Sequence, residues 1–146
     1  MIEIDTFLRG PDGGFVPTAS CTAAPPDPDY VEGAILLTVD GREIIGLEEW
    51  DYVDQIWAYI AEMVTQLNSS GHAETHFPDQ PIKLSFQVTR NRVLVTVETG
   101  ADTKRASTPT EEFVRALKKA DLVFFEKMNE LVPGSSYDEA VRELSA

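Results

Sequence analysis

The sequence predicts an α+β fold: an antiparallel sheet of about five or six strands with two long amphipathic helices on one face and a short C-terminal helix. Three observations lead there. Apolar residues alternate with polar ones in several short runs, two long runs repeat their apolar residues at helical spacing, and tight-turn dipeptides join neighbouring strand-like runs. The 146 residues are 42% hydrophobic and 25% charged, enough apolar content for one core without disulfides or a structural metal, so residues 1–146 are expected to form a single domain.

The first strand is marked by Ile2 and Ile4 alternating with Glu3 and Asp5 ahead of Phe7 and Leu8. Two clusters follow, Gly10-Pro11-Asp12-Gly13-Gly14 and Ala24-Pro25-Pro26-Asp27-Pro28-Asp29, so residues 10–29 are expected to be irregular, with Phe15 and Val16 as a small anchor. Tyr30 to Val39 reads as a strand rich in β-formers. Asp40-Gly41 is a hairpin turn, and Arg42 to Ile45 is the return strand.

Beyond Gly46 the period changes. Trp50, Val53, Ile56, Trp57, Ile60, Val64 and Leu67 form the apolar stripe of a helix over about residues 48 to 68, stopped by Asn68-Ser69-Ser70-Gly71. Glu48, Glu49, Asp51 and Asp54 fall in its first turns, where carboxylates face the partial positive charge of the helix N-terminus. Ile82, Leu84, Phe86 and Val88 alternate with polar residues, Arg90-Asn91 makes a tight connection, and Val93, Val95 and Val97 continue on a second strand. Lys104 to Ser107 completes the meander. Thr108-Pro109-Thr110-Glu111 has the form of a capping box opening a second helix, about residues 109 to 132, with Phe113, Leu117, Ala120, Phe124, Met128 and Leu131 inward. Pro133-Gly134 ends it, and Ser136-Tyr137-Asp138-Glu139 is a second capping box that opens the terminal helix. Trp50, Trp57, Phe86, Phe113 and Phe124 are expected to supply the shared core.

Charge is distributed unevenly. Residues 1–80 hold 15 acids and two bases, Arg9 and Arg42, whereas residues 81–146 hold ten of each sign, so the first part carries the whole net charge of -13. Such a field repels a phosphate backbone, which argues against nucleic-acid binding, and speeds encounter with a basic partner. The same charge also serves plain solubility. The opening Met-Ile-Glu-Ile-Asp lacks the basic and apolar regions of a secretion signal, no apolar run reaches membrane-spanning length, and Cys21 stands alone, so a cytoplasmic protein is expected.

Catalytic motifs are sparse. His72-Ala73-Glu74-Thr75-His76, if extended, projects His72, Glu74 and His76 from one face, a ligand set suited to zinc or iron; an exposed strand edge accounts for the same residues without a metal. Cys21 has no basic neighbour in the sequence to activate it. Gly10 to Gly14 lacks the Lys-Ser or Lys-Thr of a P-loop, no G-x-S-x-G elbow is present, and no cofactor is expected. Lys83, Arg90, Arg92, Lys104 and Arg105 lie on one meander and read as its polar side.

The leading expectation is therefore a small acidic protein-binding protein, an inhibitor or immunity-type protein that neutralises a basic partner such as a bacterial toxin, docking through Glu48, Glu49, Asp51 and Asp54. The alternatives are an adaptor or regulatory subunit, a homodimer formed through a sheet edge, or a metal-dependent or small-molecule enzyme using His72, Glu74 and His76.

Overall fold

In the computed structural model, which describes residues 1–134 and 137–145, the chain is α+β as expected, but its strands divide into two antiparallel sheets. The first contains β1 (Ile2–Arg9), β2 (Phe15–Pro17), β3 (Glu32–Val39) and β4 (Arg42–Ile45) in the order β2-β1-β3-β4, with β5 (Asp51–Tyr52) also on β3. After helix α1 (Val53–Ser70), the strands β6 (His72–His76), β7 (Lys83–Thr89), β8 (Arg92–Glu98) and β9 (Thr103–Pro109) form a meander in sequence order. Helices α2 (Thr110–Leu131) and α3 (Tyr137–Ser145) complete the described chain.

The single sheet expected from the sequence is two, because the strands after α1 pair only with one another while β3 is taken up by β1, β4 and β5. Residues Leu37–Val39 of β3 pair with β4, and Glu32 and Gly33 pair with β5. β6 pairs with β7 alone. Three further strands account for the higher count: β2, inside the segment expected to be irregular; β5, which lies within the span expected to be helical; and β6, the His72–His76 stretch. There Phe15 and Val16 do act as an anchor, pairing with Arg9 and Leu8, and a 3-10 turn follows at Thr18–Ser20.

Asp40 and Gly41 both have positive φ, 50° and 83°, as a two-residue hairpin turn requires. α1 ends at Gly71, whose φ of 77° lets its N–H reach the Leu67 carbonyl at 2.9 Å. The start of α2 differs from the expected capping box. β9 pairs with β8 as far as Pro109, so the strand runs straight into the helix; Thr108 is a buried strand residue and Thr110 N–H donates to the Asn91 carbonyl at 2.9 Å. The proposed cap at Ser136 lies outside the described residues.

One apolar cluster draws on both sheets and on the helices. α1 contributes Val53, Ile56, Trp57, Ile60, Met63, Val64 and Leu67, and α2 contributes Phe113, Leu117, Phe124, Phe125 and Met128. Phe86 of β7 meets Phe113 edge to face with ring centroids 5.0 Å apart, a favourable aromatic geometry that ties the meander to α2. Of the five aromatics expected in the core, Trp50 is the exception. It is only partly buried and stacks against Arg9 instead. No helix is long and apolar enough to cross a membrane among the described residues.

Candidate functional site

The four acids expected to face a partner do not share a solvent surface. α1 begins at Val53 rather than near residue 48, because the preceding residues fold into a 3-10 turn, Leu47–Glu49, and then β5. Glu48 is exposed on that turn. Glu49 is 6% exposed; its carboxylate accepts the Gly46 N–H at 3.1 Å and lies 2.5 Å from the Lys104 ammonium of β9. Asp51 is 2% exposed and accepts the N–H groups of Asp79 (3.1 Å), Gln80 (2.7 Å) and Tyr52 (2.7 Å). Gln80 returns the contact by donating its side-chain amide to the Trp50 carbonyl. Asp54 accepts the Tyr137 hydroxyl at 2.9 Å; burial raises its carboxyl above the usual range, against the hydrogen bonds that lower it. Glu49, Asp51 and Asp54 thus hold β9, the 79–80 loop and α3 to one short segment.

Beside this segment an aromatic ring from the preceding part of the chain reaches solvent, with carboxylates near it. Tyr30 is 57% exposed, the only aromatic among the exposed large apolar residues of the described chain. Its ring centroid lies 5.5 Å from that of Tyr52 with the planes at 55°. The strand register sets Glu32 beside Tyr52, and Asp29 adjoins Tyr30 in the chain. Burial is the first cause that raises the Tyr52 phenol above its usual pKa, and the negative charges of Asp79, Glu32 and Asp51 add to it.

The neighbouring Arg9 guanidinium lies 4.5 Å from the centroid of the Trp50 ring and 3.7 Å from the Glu32 carboxylate. The same surface already holds one cation by a ring face and an acid together. Beside it is a cleft of about 370 Å³ bordered by Pro11, Pro25, Pro26, Asp27, Tyr30 and Glu32. Asp27 shapes this border by accepting the Asp29 N–H at 3.0 Å on its side chain and the Tyr30 N–H at 3.1 Å on its carbonyl.

The histidine cluster is arranged differently. β6 is an edge strand, and His72, Glu74 and His76 do project from one exposed face. His72 is held by Gln87 at 2.8 Å through Nδ1 and by Glu74 at 3.0 Å through Nε2, while the Lys83 ammonium is 2.9 Å from the other Glu74 oxygen. These hydrogen bonds, Glu74 first, raise the His72 pKa. A metal at this face would meet the Lys83 ammonium, and among the described residues no group of three or more His, Cys, Asp and Glu side chains could hold a metal ion.

Cys21 is partly buried, and burial raises its thiol against the opposing charge of Lys127, so it is not activated as a nucleophile. The bases of the meander are dispersed rather than pooled. Lys83 engages Glu74, Lys104 engages Glu49, and Arg92 donates to Ser107.

Tyr30, Tyr52, Glu32 and Asp79 are brought together only by the fold. One sequence signal bears on them: Tyr30 is a large ring at the end of the Pro- and Asp-rich segment, the first residue of a run otherwise destined for a sheet. Compared with known proteins, the chain matches no family model, no curated protein and no solved structure.

Proposed function

We propose that the chain is a small acidic protein-binding protein, of the inhibitor or immunity type, that acts in the cytoplasm on a basic partner such as a bacterial toxin. The observation that carries this reading is the exposed Tyr30 ring packed on the half-buried Tyr52, with Glu32 and Asp79 near that ring and Asp29 next to Tyr30 in the chain. Tyr and Trp supply large, stiff contact area at little entropic cost and dominate binding energy at protein interfaces. Carboxylates at the rim of such a patch steer a basic surface towards it and choose its orientation. The surplus of acids in residues 1–80 extends that attraction beyond the contact itself.

The proposed docking surface accordingly moves from Glu49, Asp51 and Asp54, which are engaged inside the molecule, to Tyr30, Tyr52 and the acids beside them. Glu48 stays available as a long-range charge. The test is to isolate proteins that bind the full chain in its native host and to measure association across ionic strength. A basic partner whose association slows with salt and whose complex dissociates faster with Tyr30→Ala supports the proposal. A partner of acidic charge, or one indifferent to salt and to Tyr30, overturns it.

A further inference from the structure

The first sheet has an edge that is only half used. β1 pairs with β3 from Ile2 to Leu8, but on its other side β2 covers only Phe7 to Arg9. The covering chain leaves at Pro17, which has no N–H to continue a ladder, and enters the 3-10 turn Thr18–Ser20. The Thr18 hydroxyl donates to the Thr6 carbonyl at 2.9 Å, so this carbonyl faces the β2 side and away from β3. Backbone groups alternate sides along a strand. The N–H and C=O of Ile4 and Ile2 therefore point the same way, into a stretch where no strand of the described residues pairs with them.

That stretch opens on a groove of about 470 Å³. One wall is Ile4, Asp5 and Thr6, the end is closed by the turn at Thr18, and the far wall is α2, with Ala120, Val123 and Phe124 followed by the charged Glu126, Lys127 and Glu130. Val123 is 56% exposed among the described residues, an aliphatic side chain on the helix surface. Ladder groups on one side and, on the other, a helix wall that offers Ala120, Val123 and Phe124 for apolar contact are the two components of strand addition, in which main-chain hydrogen bonds supply affinity and alternate side chains supply choice.

We infer that the Ile2–Asp5 edge of β1 receives an extended segment of another protein in which apolar and basic residues alternate. Charge selects this occupant. Of the two faces of the added strand, one continues the side of Ile2 and Ile4 and lies against Ala120 and Val123, which calls for apolar residues. The other continues the side of Glu3 and Asp5, both exposed, which calls for Lys or Arg. A second copy of this chain is a poor fit, since antiparallel pairing of two β1 strands with their faces matched sets Glu3 against Glu3 or Asp5 of the copy. This edge does not include the Tyr30–Tyr52 surface, and the inference stands or falls separately from it.

The experiment uses the full chain and the peptide acetyl-Lys-Val-Lys-Val-Lys-Val-amide, with amide hydrogen exchange read residue by residue. In the free protein the Ile4 amide exchanges fast while the Asp5 amide, bonded to β3, exchanges slowly. Peptide binding slows exchange at Ile4 by an order of magnitude or more. Val123→Lys and Asp5→Lys, both at exposed positions, weaken binding several-fold, and a fully N-methylated peptide does not bind. Failure of the unmodified peptide to bind, binding that leaves Ile4 exchange unchanged, or equal binding of the N-methylated peptide overturns the inference. Protection of Ile4 without peptide that grows with protein concentration also overturns it, by giving the edge to a second copy.

Discussion

The indole of Trp57 on α1 lies against the ring of Phe124 on α2, with centroids 6.3 Å apart and planes at 30°, and donates its N–H to the Thr6 hydroxyl of β1 at 3.1 Å. One side chain thereby joins both long helices to the first sheet. Trp57 is fully buried and Phe124 is 2% exposed, so truncation leaves a cavity that neighbours on three elements must collapse to fill. Trp57→Ala is expected to cost about 3–5 kcal/mol in denaturant unfolding. A loss below about 1 kcal/mol would contradict this packing role.

The carboxylates of the 49–54 segment are expected to behave as structural groups. Asp51→Ala leaves the Asp79 and Gln80 N–H groups without their acceptor, at a cost of about 2 kcal/mol. Lys104→Met strands the Glu49 carboxylate, which is 6% exposed, and is expected to cost about 3 kcal/mol. Denaturant midpoints check both. Unchanged midpoints would return Glu49 and Asp51 to the list of partner-facing acids.

Asp121 gives the fold a pH dependence. It is 1% exposed on α2, one of its carboxyl oxygens has no hydrogen-bond partner, and burial alone pushes its pKa up from 3.8 to about 8. The folded state therefore keeps this proton over a range in which the unfolded chain has lost it. Stability falls as pH rises from about 4 to about 8 and is flat with respect to this group above that. Asp121→Asn keeps the shape without the titration, so its stability relative to the wild type should grow steadily between pH 5 and pH 8. A difference independent of pH would show that the carboxyl is solvated or paired.

The local elements are legible in the sequence where a period or a turn encodes them. Ile82 to Val88 and Val93 to Val97 alternate and form β7 and β8, Asp40-Gly41 forms its hairpin turn, and the stripe from Val53 to Leu67 forms α1. What depends on distant partners is not legible. Glu49 is buried because Lys104 comes to it, and Asp51 because the Asp79–Gln80 backbone does; nothing near residue 50 announces either. β5 has two residues, too few to carry a period, and its absence from the sequence reading is what drew the helix back to residue 48 and the sheets into one.

His72 and His76 provide a check on the metal reading. Both are exposed on β6, and His72 is bonded to side chains that themselves reach solvent, so replacing both by Ala should leave the unfolding midpoint and any partner binding unchanged. Elemental analysis of untagged protein is the companion measurement. Stoichiometric zinc or iron lost in the double variant would favour the enzyme alternative.

The most direct test of the central claim is a comparison of association and dissociation rates for the isolated partner with wild type, Tyr30→Ala and Asp29→Lys/Asp79→Lys, across ionic strength. Tyr30 and these acids are exposed, so the fold should be spared. Loss of the ring is predicted to speed dissociation, because a buried aromatic anchor holds the complex together, whereas charge reversal is predicted to slow association and flatten its salt dependence. Rates that match wild type in all variants at every salt concentration would contradict the account and leave the acidic surface with a solubility role alone.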